Sequence, residues 1–200
     1  MPQIKYSNPE SLSLGERNLA LKLARQALEE WVHTNSLSKL ELDRIPLRLR
    51  QIGATFVTLT INEQLRGCVG ALEATLPLAE DVRQHAVAAA CQDYRFSPVQ
   101  IDELPLISIE VSCLTPLIKV DYESSNDLIK KLRPEIDGVV LKDGARRATF
   151  LPQVWVKIPD PKLFLDLLCE KLGAPAQYWR QKNLDVYTYQ VEIFRESRMA

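Results

Sequence analysis

Phe56-Val57-Thr58-Leu59-Thr60-Ile61, Asn62-Glu63-Gln64 and Leu65-Arg66-Gly67-Cys68-Val69-Gly70 follow one another without a break, and their reading decides the fold. The first six residues are apolar and β-branched, the composition of a strand. Asn62-Glu63-Gln64 is a turn. The last six place Cys68 between two glycines with an arginine close by. Glycine tolerates φ > 0 and close backbone approach, so Gly67 and Gly70 predict a sharp, exposed turn at a sheet edge. A guanidinium near a thiol favours the thiolate, the form that attacks or ligates. Cys68 therefore has two readings: a reactive thiol held beside Arg66, or a small buried hydrophobe in a hairpin.

Further strands lie downstream. Ile107-Ser108-Ile109-Glu110-Val111-Ser112-Cys113 alternates strictly, which predicts a half-buried strand. Glu110 stands on its polar face between two serines. It is a carboxylate on a rigid element if that face lines a cleft, and an ordinary surface residue otherwise. Gly138-Val139-Val140-Leu141 and Ala148-Thr149-Phe150-Leu151 flank Lys142-Asp143-Gly144-Ala145, a hairpin by its Asp-Gly turn. Tyr187, Tyr189, Val191 and Ile193 alternate with polar residues and read as one last strand.

Helices fill the intervals. Ser13-Leu14-Gly15-Glu16 is a capping box. The helix it opens buries Leu14, Leu21, Leu28, Ala20, Ala24, Ala27 and Trp31, exposes Lys22, Arg25, Glu29 and Glu30, and ends near Val32. Residues 33–50 read as a surface connection whose Arg44, Arg48 and Arg50 form a basic cluster with two readings, a receiver for an anion or, more simply, a solvated face. Pro77 opens a second helix carrying Leu78, Val82, His85, Ala86 and Ala89 on one stripe. Its small residues 86–90 let it lie close against a sheet. His85 reads as a boundary side chain rather than a base for Cys68. Asp93 and Arg95, past the helix end, are suited to an ion pair that fixes the turn. Residues 128–133 form a short helix capped by Asn126-Asp127, and a further helix from Pro161 buries Leu163, Phe164, Leu167 and Leu168 before Gly173. Gln153 presents an amide just after the strand at 148–151.

Two hundred residues suffice for one domain, or for two small lobes, with a sizeable core. The formal net charge is -1, which gives no field for nucleic acid or a membrane surface. No apolar run reaches spanning length. The first residues carry no hydrophobic signal, so a cytoplasmic chain is expected. Cys68, Cys91, Cys113 and Cys169 are widely spaced without a CxxC pair, and only two histidines occur. Reduced thiols and no metal centre or cofactor are the expectation. Common nucleotide-binding, hydrolase and zinc-protease signatures are absent.

Together these segments resemble the AMMECR domain family, also called AmmeMemoRadiSam system protein A. The resemblance rests on Leu65-Arg66-Gly67-Cys68-Val69-Gly70, with the segments 88–96, 109–116, 137–140, 150–155 and 164–169 in order. It implies one α+β domain over 13–196, between short tails at 1–12 and 197–200. Two lobes of antiparallel β-sheet, flanked by helices, would hold a cleft between them. Memo-type and radical-SAM proteins are the partners it implies; a substrate is not specified. The sequence departs from the family pattern at His85, where asparagine or another polar residue is expected. It departs again at Val156-Lys157, where an acidic residue is usual. Two functions follow. One is a cysteine-dependent enzyme or enzyme subunit with Cys68, Arg66 and Glu110 in the reaction, and Gly67, Gly70, Asp93, Arg95 and Gln153 shaping the site. The other is a non-catalytic adaptor whose hexapeptide docks a partner. No histidine is an obvious base for Cys68, which weighs against the enzyme.

Overall fold

The computed structural model describes residues 11–196, so the expected tails lie outside the described residues except for Ser11 and Leu12. Leu12 is buried in the core at 3% exposure, and its amide donates to Glu192 at 3.1 Å. In chain order the elements are α1 (Leu14–Thr34), α2 (Leu47–Arg50), β1 (Ile52–Ile61), β2 (Gln64–Gly70), β3 (Leu76–Pro77) and α3 (Leu78–Cys91). Then come β4 (Ile107–Leu114), β5 (Ile118–Lys119), α4 (Ser125–Lys131), β6 (Gly138–Asp143) and β7 (Arg146–Phe150). The remainder are α5 (Pro161–Lys171), α6 (Tyr178–Gln181), β8 (Asp185–Tyr189) and β9 (Val191–Arg195). The fold is α+β, with two antiparallel sheets flanked by helices. The chain divides into two compact units, residues 11–114 with 192–196, and Thr115–Val191.

In the first unit the sheet order is β2-β1-β4-β9, with β3 pairing the start of β1. α1 and α3 cover one face. Ser13 caps α1 as read: Glu16 N–H donates to the serine hydroxyl at 3.3 Å, and the Glu16 carboxylate accepts the Ser13 amide at 2.8 Å. The helix runs on to Thr34 and stops where Asn35 turns left-handed at φ 52°. Leu14, expected inside, is 72% exposed in the first turn. Arg25, expected in solvent, is instead drawn inward. It pairs with Glu196 at 2.5 Å and donates to the carbonyls of Leu104 and Ile107 at 3.1 and 2.7 Å. Residues 33–50 also bury more than a surface connection would: Ile45 and Leu49 belong to the core.

The second unit has its own core and the sheet order β5-β8-β6-β7, antiparallel throughout. Its hairpin turns at Gly144, φ 60°. Ser124, rather than Asn126, caps α4. α5 ends before Gly173 at φ 77°, buries Phe164, Leu165 and Leu168, and leaves Leu163 exposed. Trp155 stacks on Phe164 with ring centroids 3.6 Å apart. The expected single last strand is two strands in different sheets. Gln190 separates them, exchanging hydrogen bonds with Thr115 (2.8 and 2.9 Å). Alternation continues across Gln190 without glycine or proline, so nothing in the pattern marks the break.

Candidate functional site

The hexapeptide is not a turn. The chain reverses at Asn62 and Glu63, φ 51° and 66°, and Cys68 lies in the middle of strand β2. Neither Gly67 nor Gly70 has positive φ; close approach is what they permit. A Cβ on Gly67 would sit 2.1 Å from the Ala89 carbonyl oxygen of α3. A Cβ on Gly70 would sit 2.4 Å from the Phe56 ring and from the Thr55 carbonyl oxygen. The small-residue run of α3 and Gly67 are therefore two halves of one contact.

Strand register then builds a row. Thr58 of β1 faces Cys68 on one side and Glu110 of β4 on the other. Side chains alternate across a strand, and Val57, Leu59, Ile109 and Val111 fill the helix-covered core. Cys68, Thr58 and Glu110 accordingly share the opposite sheet face. Thr58 Oγ1 donates to Cys68 Sγ at 3.3 Å. At the far end Arg195 Nε of β9 donates to Glu110 Oε2.

The other flank of Cys68 is charged. Its amide donates to Asp93 Oδ2 at 2.8 Å. Arg95 grips the same carboxylate, Nη2 on Oδ2 at 2.6 Å and Nε on Oδ1 at 2.8 Å. Asp93 is 7% exposed, and the Arg95 guanidinium holds its carboxyl far below the usual carboxylate range. The Arg95 pKa rises in return, chiefly through its side-chain hydrogen bonds to Asp93. The arginine joined to Cys68, through the shared Asp93 Oδ2, is Arg95.

Arg66 was expected beside the thiol and is not. The register slips between Leu59 and Thr60, which leaves Arg66 as the extra residue of a β-bulge. Its guanidinium turns to Glu103 and forms two bonds, of 2.6 and 2.9 Å. That ion pair raises the Arg66 pKa and lowers that of Glu103. The Phe96 ring is near both guanidinium groups, its centroid 6.0 Å from that of Arg66 and 5.5 Å from that of Arg95.

His85 lies on the other side of the sheet. Its Nδ1 is 3.1 Å from Asp81 Oδ2, which also accepts the buried Thr55 hydroxyl at 2.6 Å. Thr55 points with Val57 and Leu59 toward α3, so the sheet separates His85 from Cys68. Gln153 is an exposed residue of the second unit, in the 3-10 helix Pro152–Val156.

A family model described as AMMECR1 matches residues 21–194. The chain belongs to the AMMECR1 family. A Thermofilum pendens protein is 38% identical over 197 residues, 93% of this chain and 92% of its own. A Methanothermobacter thermautotrophicus protein is 37% identical over 187 residues, covering 92% and 96%. The crystal structure of an uncharacterised Pyrococcus horikoshii protein superposes with TM-score 0.84 at 30% identity, covering 93% of this chain and 94% of that one.

The other three thiols of this AMMECR1 chain carry raised pKa values. Burial pushes Cys113 up to about 12, with the negative charge of Glu192 adding to it. Burial also raises Cys91 and Cys169. Thr58, Glu103 and Arg195 were missed from sequence. Pairing the strand 56–61 with the hexapeptide would have found Thr58; Glu103 and Arg195 carry no local signal. Among the described residues no three His, Cys, Asp or Glu side chains gather as metal ligands, and no helix is long and apolar enough to cross a membrane.

Proposed function

We propose that this AMMECR1-family chain is a cysteine-dependent enzyme or enzyme subunit in which Cys68 is the reacting group. The observation that carries the reading is the row Cys68–Thr58–Glu110, with the Asp93–Arg95 fork anchoring the Cys68 amide. The Thr58 hydroxyl donates to the sulfur at 3.3 Å, and the Arg95 guanidinium is joined to the Cys68 amide through Asp93 Oδ2. The thiolate attacks an electrophilic carbon. A sulfur–carbon bond forms, and the leaving group departs with its bonding pair and takes up the proton the thiol has lost. Glu110 is the carboxylate on the same face for later proton transfer. Memo-type and radical-SAM proteins belong to the proposal as sources or acceptors of the carried group. It places the chain in the cytoplasm, where a free thiol persists.

A second reading, a non-catalytic adaptor, is favoured by one observation. Arg66, Asp93, Arg95 and Glu110 each already hold a partner inside the first unit, as in a finished docking surface. One experiment separates the two. The wild type and Cys68→Ser are incubated with cell extract and read by intact mass and peptide mapping. An adduct on Cys68 that the variant lacks supports the enzyme. Absence of any adduct, with Memo-type or radical-SAM proteins captured equally by both, overturns it for the adaptor.

A further inference from the structure

We infer that the substrate of this row carries an oxyanion, a carboxylate or phosphate group, which Arg95 and Arg195 receive on either side of Cys68 and Glu110. The inference rests on Cys68 being the reacting group, as proposed above. By formal charge the row is balanced, two carboxylates against two guanidinium groups. Exposure breaks the balance. The Asp93 and Glu110 side chains are 4% and 20% exposed, whereas those of Arg95 and Arg195 are 45% and 72% exposed. Both oxygens of Asp93 are already taken, Oδ2 by the Cys68 amide and Arg95 Nη2, Oδ1 by the Arg95 amide and Nε. The Asp93 charge is turned inward and consumed, Glu110 stays mostly buried beneath Arg195, and the positive charge is presented.

Position agrees with charge. The Arg95 guanidinium and the Cys68 amide share Asp93 Oδ2, so the cation is fixed next to the thiol's own backbone. Arg195 closes the other end of the row through Glu110. Guanidinium forks match the planar or tetrahedral oxygens of carboxylate and phosphate. A substrate anchored by its anionic group at either end brings its electrophilic carbon over the sulfur.

Iodoacetate and iodoacetamide test this with one reacting carbon and two charges. Each displaces iodide from the same CH2 group, leaving sulfur bound to carbon. The ratio of their rates at Cys68 cancels thiolate fraction and accessibility, so a variant that merely perturbs the thiol does not move it. The reference is the same ratio for N-acetylcysteinamide. One cation within about 4 Å of the incoming charge predicts a ratio about fivefold above the reference. Arg95→Gln and Arg195→Gln should each lower it, Arg95→Lys should retain part of it, and molar salt should collapse it. Arg195→Gln keeps the test sound if Arg95→Gln fails to fold, because Arg195 is the more exposed of the two. Slower alkylation of Cys68 by iodoacetamide in 10 mM phosphate, but not in 10 mM acetate, would name phosphate as the preferred oxyanion; the converse would name carboxylate. A ratio at or below the reference, or one unchanged in both glutamine variants, overturns the inference while leaving a reactive Cys68 in place. If iodoacetamide shows no preference for Cys68 over the other three thiols, the enzyme reading falls and this inference with it.

Discussion

Asp93 accepts the backbone amide of Cys68 at 2.8 Å across 25 residues of chain, and so closes the outer side of β2 where the cysteine sits. β2 is the end strand of its sheet. An open edge there would offer its amides and carbonyls to any passing strand. One buried carboxylate thus holds the thiol's backbone still and keeps that edge from pairing.

Asp93 should therefore matter to stability in a pH-dependent way. Its carboxyl titrates far below the unfolded value, held there first by Arg95 and then, against burial, by the amides of Cys68 and Arg95. A depressed folded pKa adds stability that is fully present above the unfolded value of about 3.9 and is lost as pH falls toward the folded one. The expected outcome is that Asp93→Asn melts below the wild type at neutral pH. The gap should narrow steadily below about pH 4, where the wild type loses the same contribution. Melting curves of both proteins between neutral pH and pH 3 check it. A gap that widens on acidification would mean that Asp93 is not the ionised anchor.

Thiol labelling should single out Cys68. Cys113 is pushed up to about 12 by burial and Glu192, and burial raises Cys91 and Cys169 as well. Cys68 instead takes the Thr58 hydroxyl at 3.3 Å. Iodoacetamide at neutral pH, followed by peptide mass spectrometry, should modify Cys68 first and the fully buried Cys169 last. Thr58→Val should slow Cys68 alone, since it removes the donor while keeping the β-branched shape.

Much of this was legible in the sequence, and the residues show why. Strand β4 was readable because one face is buried, so its apolar residues recur at every second position. The capping box and the Asp-Gly hairpin were readable because their chemistry is local. The pairing of Asp93 with Arg95 is likewise a two-residue event. The errors share the opposite property. Gly67 reads as a turn only until Ala89 is known to press against it. Arg66 reads as the partner of Cys68 only until the bulge is known to turn it to Glu103, 37 residues away. Arg25 reads as solvated only until Glu196, 171 residues on, is placed beside it. Sequence spacing reports on neighbours along the chain; these contacts are made across it.

Arg66 should accordingly be structural. Its two bonds to Glu103 join the bulged strand to the 3-10 helix Ile101–Leu106, and the guanidinium is mostly buried. Removing one partner of a charged hydrogen-bonded pair costs about 2 kcal/mol, and Arg66→Ala should lose roughly that in urea unfolding. Glu103→Gln should cost less, because an amide still accepts one bond. The midpoint pH of Cys68 alkylation should stay where it is in both. A raised midpoint in Arg66→Ala would return Arg66 to the thiol and displace Arg95 from the role argued above.

The sharpest single substitution is at Gly67. A methyl there would meet the Ala89 carbonyl oxygen at 2.1 Å, and neither atom lies on a flexible side chain that can swing aside. Strand β2 or helix α3 must shift, and overpacking of this kind costs about 3 kcal/mol. Gly15 is the internal control. It lies in the first turn of α1, where a methyl would have nothing within 4 Å, so Gly15→Ala should be neutral or stabilising by about 0.5 kcal/mol. Urea unfolding should therefore show Gly67→Ala well below the wild type and Gly15→Ala at or slightly above it. Because Cys68 follows Gly67 directly, Gly67→Ala should also disturb the amide bond to Asp93 and blunt the labelling preference for Cys68, whereas Gly15→Ala should leave it intact. Equal stability of the two variants would show that β2 does not lie against α3 as closely as Gly67 and Ala89 require.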